Sequence, residues 1–136
     1  MRIGFTGTRD GMTEQQKDTL RALLPVTDQS VCLHHGDCVG ADAEAHDIAK
    51  AMGCRIITHP PIDEALRAFK AADECRKPKS YLARNKDIVY ESDHLIAAPK
   101  NYGEQRSGGT WWTVRFARGR KKRVYIIRPD GRVERS

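Results

Sequence analysis

The sequence lacks the features that mark several specialised classes of protein. Its unbroken apolar runs are only a few residues long, so no segment is suited to span a bilayer and we expect no membrane partner. It has only 6 prolines in 136 residues, with no repeats or low-complexity tracts, which excludes collagen-like and disordered chains. With 39% hydrophobic and 31% charged residues, the composition predicts one folded domain with one core.

The four cysteines also lack the spacing of a metal or redox motif. Cys32, Cys38, Cys54 and Cys75 form no Cys-x-x-Cys pair. The N-terminal residues lead directly into a strand-like segment, without the regions that make up a signal peptide. We therefore expect four reduced cysteines in a cytoplasmic protein.

Short apolar runs alternate with helical patterns along the chain. The runs predict five strands, at 2–6, 30–34, 55–58, 93–98 and 123–127. The helices are predicted to start after the capping-box pattern at Thr13, over 41–52, after Ser80, and over 109–117. Between strands three and four, the segment 62–78 is expected to hold at most a short helix.

This order of elements predicts an α/β fold. We expect a single Rossmann-like three-layer αβα domain with a mainly parallel five-stranded sheet. The domain is predicted to cover residues 1–128, and residues 129–136 are predicted to form a short tail or ribbon after the Asp130-Gly131 turn.

Glycines cluster in three loops at one edge of the predicted sheet. Ligands of open parallel sheets bind beyond the carboxyl ends of the strands, and all three loops follow such ends. The candidate ligand-binding residues in these loops are Gly7, Thr8, Arg9, His35, Gly36, Asp37, Gly40, Asp42, Arg106, Ser107, Gly108, Gly109 and Thr110. On the helix after Ser80, Arg84 and Asn85 are further candidates, since the guanidinium of Arg84 suits a phosphate or carboxylate. Tyr81 and Leu82, which precede them, are expected to face the core.

The loop before the last predicted helix has the composition of a phosphate cradle. Glycine lets backbone N–H groups approach an anion, and the following helix adds the positive end of its dipole. Thr110 is suited either to donate a hydrogen bond from its hydroxyl to a phosphate or to cap the helix. The alternative to a phosphate cradle is that the two glycines serve only to make the turn. The first loop, Gly4–Arg9, has neither a Gly-x-Gly-x-x-Gly pattern nor a P-loop, so a standard dinucleotide site is not predicted.

The histidines and tryptophans are candidates for a metal site and a subunit interface, respectively. The histidines at 34, 35, 46 and 59 lack metal-ligand spacing, and we predict no metal and no cofactor. Trp111 shares one helical face with Val114, and Trp112 shares another with Phe116, so the tryptophans are expected in the core and at an interface. Trp111, Trp112 and Phe116 are candidates for a homodimer face.

Taken in order, these motifs resemble the SLOG superfamily of Rossmann-like proteins. The resemblance rests on Gly7-Thr8-Arg9, His35-Gly36 with Gly40-Ala41-Asp42, Arg84-Asn85, and Gly108-Gly109-Thr110. It covers essentially the whole chain and is strongest to the branch of YspA- and YpsA-related proteins. The resemblance implies a nucleotide or nucleotide-derived ligand in the crevice, bound by a sensor, sink or processing domain.

Other SLOG branches imply alternatives. The phosphoribohydrolases hydrolyse the N-glycosidic bond of nucleoside monophosphates and use a Pro-Gly-Gly-x-Gly-Thr-x-x-Glu pattern with a catalytic Glu. In this chain Thr113 stands at the position of that Glu, although Arg84 matches the family's helical Arg. A hydrolase would need a carboxylate from elsewhere, and the candidates are Asp37, Asp42 and Glu104. Asp42 would equally serve as a helix cap, and Asp37 as a ribose-hydroxyl acceptor.

The DNA-processing branch suggests single-stranded nucleic acid as a less favoured partner. The chain has a formal net charge of +6, but residues 115–136 carry nine basic and two acidic side chains, so the surplus is confined to this end. In a parallel sheet the basic turn 118–123 lies opposite the ligand crevice. The charge therefore indicates a solvated face or a second surface rather than the nucleotide site.

Overall fold

Seven strands and four helices make up the fold, as the computed structural model describes it for residues 1–25 and 30–136. The strands are β1 Arg2–Gly7, β2 Cys32–His35, β3 Arg55–Thr58, β4 Glu74–Cys75, β5 His94–Ala98, β6 Arg123–Ile127 and β7 Val133–Arg135. The helices are α1 Glu14–Leu23, α2 Ala41–Ala51, α3 Tyr81–Tyr90 and α4 Gly109–Gly119, and a 3₁₀ turn covers Glu64–Leu66.

The strands form one sheet in the order β4-β3-β2-β1-β5-β6-β7. All neighbouring pairs are parallel except β6 and β7, which are antiparallel. The predicted α/β class with a mainly parallel sheet is confirmed, but the prediction of five strands is wrong. The two extra strands lie at the sheet edges, and β4 and β7 are exposed, polar and only two and three residues long. Such strands carry no apolar run from which they could be recognised.

A local signal accounts for where α1 begins. The Thr13 hydroxyl accepts a hydrogen bond from the Gln16 backbone N–H, and the Gln16 side chain accepts one from the Thr13 N–H. This confirms the predicted capping box of α1. At the start of α3 the prediction that Leu82 faces the core is wrong, because its side chain is 47% exposed. Tyr81 is also misassigned, since it lines the crevice described below.

Two apolar clusters cover the two faces of the sheet. On one face, Phe5 and Leu33 pack with Leu20 of α1 and Ala45 of α2. The other face holds the cluster of α3 and α4, which includes Ile88, Leu95, Trp111 and Val114. The arrangement has three layers, with α1 and α2 on one side of the sheet and α3 and α4 on the other. None of the described helices is long and apolar enough to cross a membrane.

The strand order reverses between β1 and β5. From β1 the chain passes through α1 to β2 on one side, and from β5 it passes through α4 to β6 on the other. The loops that leave β1 and β5 therefore diverge and open a crevice at the carboxyl edge of the sheet. Ligands of open α/β sheets bind at such a reversal.

Candidate functional site

The crevice between the β1 and β5 loops is a cavity of about 420 Å³. Its lining brings the first glycine loop together with the start of α4, as the sequence predicts for one sheet edge. The lining residues are Gly7, Thr8, Arg9, Asp10, Tyr81, Pro99, Lys100, Asn101, Gln105, Ser107, Gly108, Gly109, Thr110 and Trp111.

The first turn of α4 lines this crevice and has no side-chain cap. The helix begins after Gly108, which has φ = 97° and provides no side-chain cap. The Thr113 hydroxyl donates a hydrogen bond to the Gly109 carbonyl at 2.8 Å and therefore does not cap the N–H groups of the first turn. An uncapped helix N-terminus carries partial positive charge and suits an anion. Gly109 is also required by space, because any side chain there would overlap the Tyr81 hydroxyl.

Two cationic side chains lie at the rim of the crevice. Arg9 is exposed, and within residues 1–25 and 30–136 it forms no ion pair; its guanidinium lies 5.4 Å from the centre of the Tyr81 ring. Lys100 pairs with Asp10 at 2.8 Å, and both groups are about two-thirds exposed. Arg9 is therefore the cation most available to an anionic ligand.

The second glycine loop lies beneath the crevice rather than at its surface. His35, Gly36 and Asp37 are buried, and Arg84 is only 3% exposed. The Arg84 guanidinium donates to the backbone carbonyls of Gly36 and His59, the latter at 3.1 Å. Its Nε has no hydrogen-bond partner among the described residues. The Arg84 side chain thus joins the β2 and β3 loops from below.

Asp42 is a buried acidic group beneath the crevice. It lines a small cavity of about 20 Å³ that shares Gly7, Arg9 and Tyr81 with the main crevice. Its carboxylate accepts a hydrogen bond from the Cys38 backbone N–H at 3.2 Å. Burial raises the pKa of Asp42 to about 6, although the nearby Arg84 charge acts in the opposite direction.

Asp37 is already engaged by the segment that follows β3. It has φ = 54°, an uncommon value for a residue other than glycine, and its side chain is fully buried. The carboxylate pairs with Arg67 at 3.0 Å and accepts a hydrogen bond from the Lys70 backbone N–H, also at 3.0 Å. These contacts hold the segment 62–78 against the β2 loop.

Glu104 and Arg106 lie on the outer side of the β5 loop. Glu104 pairs with Arg118 at 3.0 Å and with Arg115 at 3.4 Å. Glu104 and Arg106 border a separate depression with Gln105, and neither of them lines the main crevice. The remaining sequence candidates are supports: half-buried Gly40 packs against the backbone of Arg9, and buried Asn85 borders the small cavity with Asp42.

Several lining residues were not among the sequence candidates. Lys100 and Asn101 come shortly after β5, behind Pro99, so their position near a strand end was a usable signal. Tyr81 is the first residue of α3, and its side chain lines the crevice from there. Trp111 was expected in the core or at a dimer face; it lines the crevice and is 4% exposed, and its indole Nε1 has no hydrogen-bond partner among the described residues.

A second cavity of about 460 Å³ adjoins the crevice and is mostly apolar. Its lining includes Pro61, Ile62 and Leu66, and it shares Arg9 and Tyr81 with the crevice. Ile62 is 65% exposed, an unusual position for a large aliphatic side chain. The two cavities therefore form a polar compartment and an apolar compartment on either side of Tyr81 and Arg9.

Two buried histidine pairs stand on opposite faces of the sheet. His35 Nε2 lies 2.9 Å from His46 Nδ1, and His34 Nδ1 lies 2.9 Å from His59 Nε2. The Asp37 N–H donates to His35 Nδ1, so the proton of His35 is on Nε2 and is donated to His46. Burial lowers the pKa of all four imidazoles, that of His35 well below its usual value and that of His59 to about 4.

These histidines are expected to make the fold sensitive to acid. An unfolded histidine binds a proton near pH 6.5, whereas folded His59 binds one only near pH 4, so acid favours the unfolded chain. The histidines should lower the free energy of unfolding as the pH falls from 6.5 toward 4, by up to about 3 kcal/mol from His59 alone. Buried Asp42, whose pKa is raised from 3.8 to about 6 on folding, acts in the opposite direction and offsets part of this loss. Urea titrations across this range should show the loss, and H59Q should flatten it. An equally steep dependence in H59Q would contradict this assignment.

The fold has counterparts among solved structures. A molybdenum cofactor binding protein from Rippkaea orientalis superimposes with a TM-score of 0.71 at 23% identity, covering 93% of this chain and 76% of that one. DNA processing protein A (DprA) from Streptococcus pneumoniae gives a TM-score of 0.68 at 18% identity, covering 93% of this chain and half of the other. At this identity the likeness establishes a shared fold. The chain matches no protein-family model and no curated protein.

Proposed function

We propose that the chain binds a nucleotide or nucleotide-derived small molecule in the crevice. The observation that carries the proposal is the uncapped start of α4, at Gly108–Thr110, which faces the first glycine loop where the strand order reverses. Backbone N–H groups there suit a phosphate, and the Thr8 and Thr110 hydroxyls and the Arg9 guanidinium lie around the same space.

The adjoining apolar cavity accounts for the rest of such a ligand. A nucleotide has a charged end and a flat, largely apolar base, and the two compartments meet at Tyr81 and Arg9. The phosphate would lie at α4, while the base would contact Ile62 and Leu66 on the far side of Tyr81. Arg84 and Asn85 support the floor in this arrangement and do not need to touch the ligand.

The resemblance to the SLOG superfamily, strongest for its YspA- and YpsA-related branch, supports this proposal. Its members include proteins that bind or process nucleotide-derived molecules, as sensors, sinks or processing domains. The shared fold is also used by a molybdenum cofactor binding protein.

Thermal or urea unfolding in the presence of nucleotides tests the proposal. A ligand present at 100 times its dissociation constant should raise the free energy of unfolding by about 2.7 kcal/mol. The panel should contain nucleoside mono- and diphosphates and dinucleotides, with the matching phosphate-free nucleosides as controls. Stabilisation by phosphorylated members only is the expected result. No stabilisation by any member would contradict the proposal.

Asp42 favours a second candidate, hydrolysis of a nucleoside monophosphate at its N-glycosidic bond. Such a reaction needs a carboxylate close to the sugar, and Asp42 borders the crevice floor with a pKa of about 6, suited to proton transfer near neutral pH. Release of free base that is lost in D42N would support an enzyme. Tight binding without base release would exclude it.

The basic C-terminal residues form a surface of their own. Arg118, Lys121, Lys122 and Arg123 line a depression of about 620 Å³ with His94, at the amino ends of β5 and β6. This edge of the sheet lies opposite the crevice. Single-stranded nucleic acid would bind here with an affinity that falls steeply as salt is added. Binding that is absent or insensitive to salt would reject this partner.

A homodimer through α4 stays a prediction. Trp112 and Phe116 stack on the outer side of the helix with ring centres 5.4 Å apart, and Tyr90 of α3 meets Phe116 edge-on. Light scattering of the purified protein would give its mass in solution. A monomer at high concentration would count against an interface on this face.

A further inference from the structure

The second histidine pair is part of a three-residue cluster outside the crevice. His34 lies in β2, His59 directly follows β3, and Glu91 caps the C-terminus of α3. One potential ligand atom from each residue falls within 4.8 Å of the other two. Glu91 Oε1 lies 3.9 Å from His34 Nδ1 and 4.0 Å from His59 Nε2. Three separate elements thus point three donor atoms at one small volume.

The size of this volume fits a zinc ion. Zinc binds histidine nitrogen and carboxylate oxygen at about 2.0–2.2 Å, so the donor atoms of a tetrahedral site lie about 3.3 Å apart. The two imidazole nitrogens are 2.9 Å apart, so the rings need to separate by a few tenths of an ångström. The Glu91 oxygen needs to approach by slightly more, which requires its contact with Arg76 to loosen; the Glu91 side chain is one-third exposed.

We propose that His34, His59 and Glu91 form a binding site for a Zn²⁺ ion. Two imidazoles and one carboxylate supply three ligands, and the exposed side of Glu91 leaves the fourth position to water. The proposal is independent of the nucleotide site. It adds a metal where the spacing of histidines along the sequence predicts none.

The surroundings of the cluster define the proton positions that a metal requires. Zinc takes the lone pairs of His34 Nδ1 and His59 Nε2, so each ring must carry its proton on the other nitrogen. For His34 that nitrogen is Nε2, which lies 3.8 Å from Cys32 Sγ, within reach of a weak hydrogen bond. Such an outer contact holds the ring in the orientation and tautomer suited to the metal.

Arg76 competes with a cation for the same carboxylate. Its guanidinium donates to Glu91 Oε1 twice, at 2.8 and 3.1 Å, and also to Glu74 at 2.7 Å. The side chain is 42% exposed, so it can move toward solvent while Glu74 retains it. Removing the Arg76 charge should therefore strengthen zinc binding, whereas removing a ligand should weaken it.

Zinc binding to chelator-treated full-length protein tests the site. Calorimetry should give one Zn²⁺ per chain, and Co²⁺ should produce the visible absorption of a tetrahedral complex. H59Q and E91Q should each weaken zinc binding more than about 10-fold, since even the loss of an outer-shell partner costs about 10- to 100-fold. R76Q should bind more tightly than the wild type, a gain that misfolding cannot imitate.

Two control variants separate this site from other zinc-binding groups. Cys75 and His94 lie outside the cluster and are not fully buried, so C75S and H94N remove exposed or half-exposed donors without altering it. Both variants should bind Zn²⁺ like the wild type. The proposal is overturned if no Zn²⁺ binds, or if binding survives in E91Q and H59Q, or if C75S or H94N abolishes it. Circular dichroism should first establish that each variant is folded.

Discussion

Replacement of Arg9 by Glu should weaken nucleotide binding at least about 30-fold. A hydrogen bond to a charged group contributes about 1.5–3 kcal/mol, and the reversed charge adds repulsion toward the phosphate. Arg9 borders the crevice, the apolar cavity and the small cavity beneath them, and no ion pair engages it in the part of the chain described. Calorimetric titration with the best nucleotide of the panel would measure the change.

Arg106 provides a matched comparison for Arg9. The charge change in R106E is the same, but Arg106 lies on the outer side of the β5 loop and does not line the crevice. We expect R106E to bind within a few-fold of the wild type, and R21E, at the end of α1, to serve as a distant surface control. Equal losses in R9E and R106E would contradict the assigned position of the phosphate.

Replacement of Arg84 by Met should lower the free energy of unfolding by about 3–5 kcal/mol. Methionine keeps much of the apolar volume of the side chain but leaves the Gly36 and His59 carbonyls without their donor. It also removes the positive charge that partly offsets the burial of Asp42. Urea denaturation at pH 7 would give the loss directly.

The double variant R84M/D42N distinguishes the electrostatic part of this loss from the packing part. Removing the Asp42 charge should restore part of the stability, because the buried carboxylate then no longer needs a neighbouring cation. A loss below about 1 kcal/mol in R84M, or no recovery in the double variant, would contradict the role of Arg84 as a buried support. The D42N variant alone gives the reference for the calculation.

The sequence was sufficient for the fold class because its apolar strands are central. Runs such as 55–58 and 123–127 are buried, bounded by turns and separated by helical patterns. The edge strands β4 and β7 gave no such signal, since their pairing depends on the neighbouring strand rather than on their own composition. The position of the crevice followed from the glycine loops and the topology rule.

The separation of the crevice into surface and floor was not predictable from sequence. Loop composition places His35, Asp37 and Asp42 at the correct edge but does not say whether a side chain points up or down. Asp37 turns toward Arg67 because its backbone adopts φ = 54°, and that choice depends on the contact with a distant segment. The cluster of His34, His59 and Glu91 is likewise formed by three elements far apart in sequence.

A chemical-shift titration of the ¹⁵N-labelled protein with a nucleoside monophosphate shows directly whether a nucleotide binds at the start of α4. The largest and saturable shifts are expected at the backbone amides of Thr8, Gly109, Thr110 and Trp111, which surround the proposed phosphate position. The matching nucleoside should leave the α4 amides nearly unchanged. Shifts confined to the basic turn 118–123, or none at all up to millimolar nucleotide, would contradict a nucleotide site in the crevice.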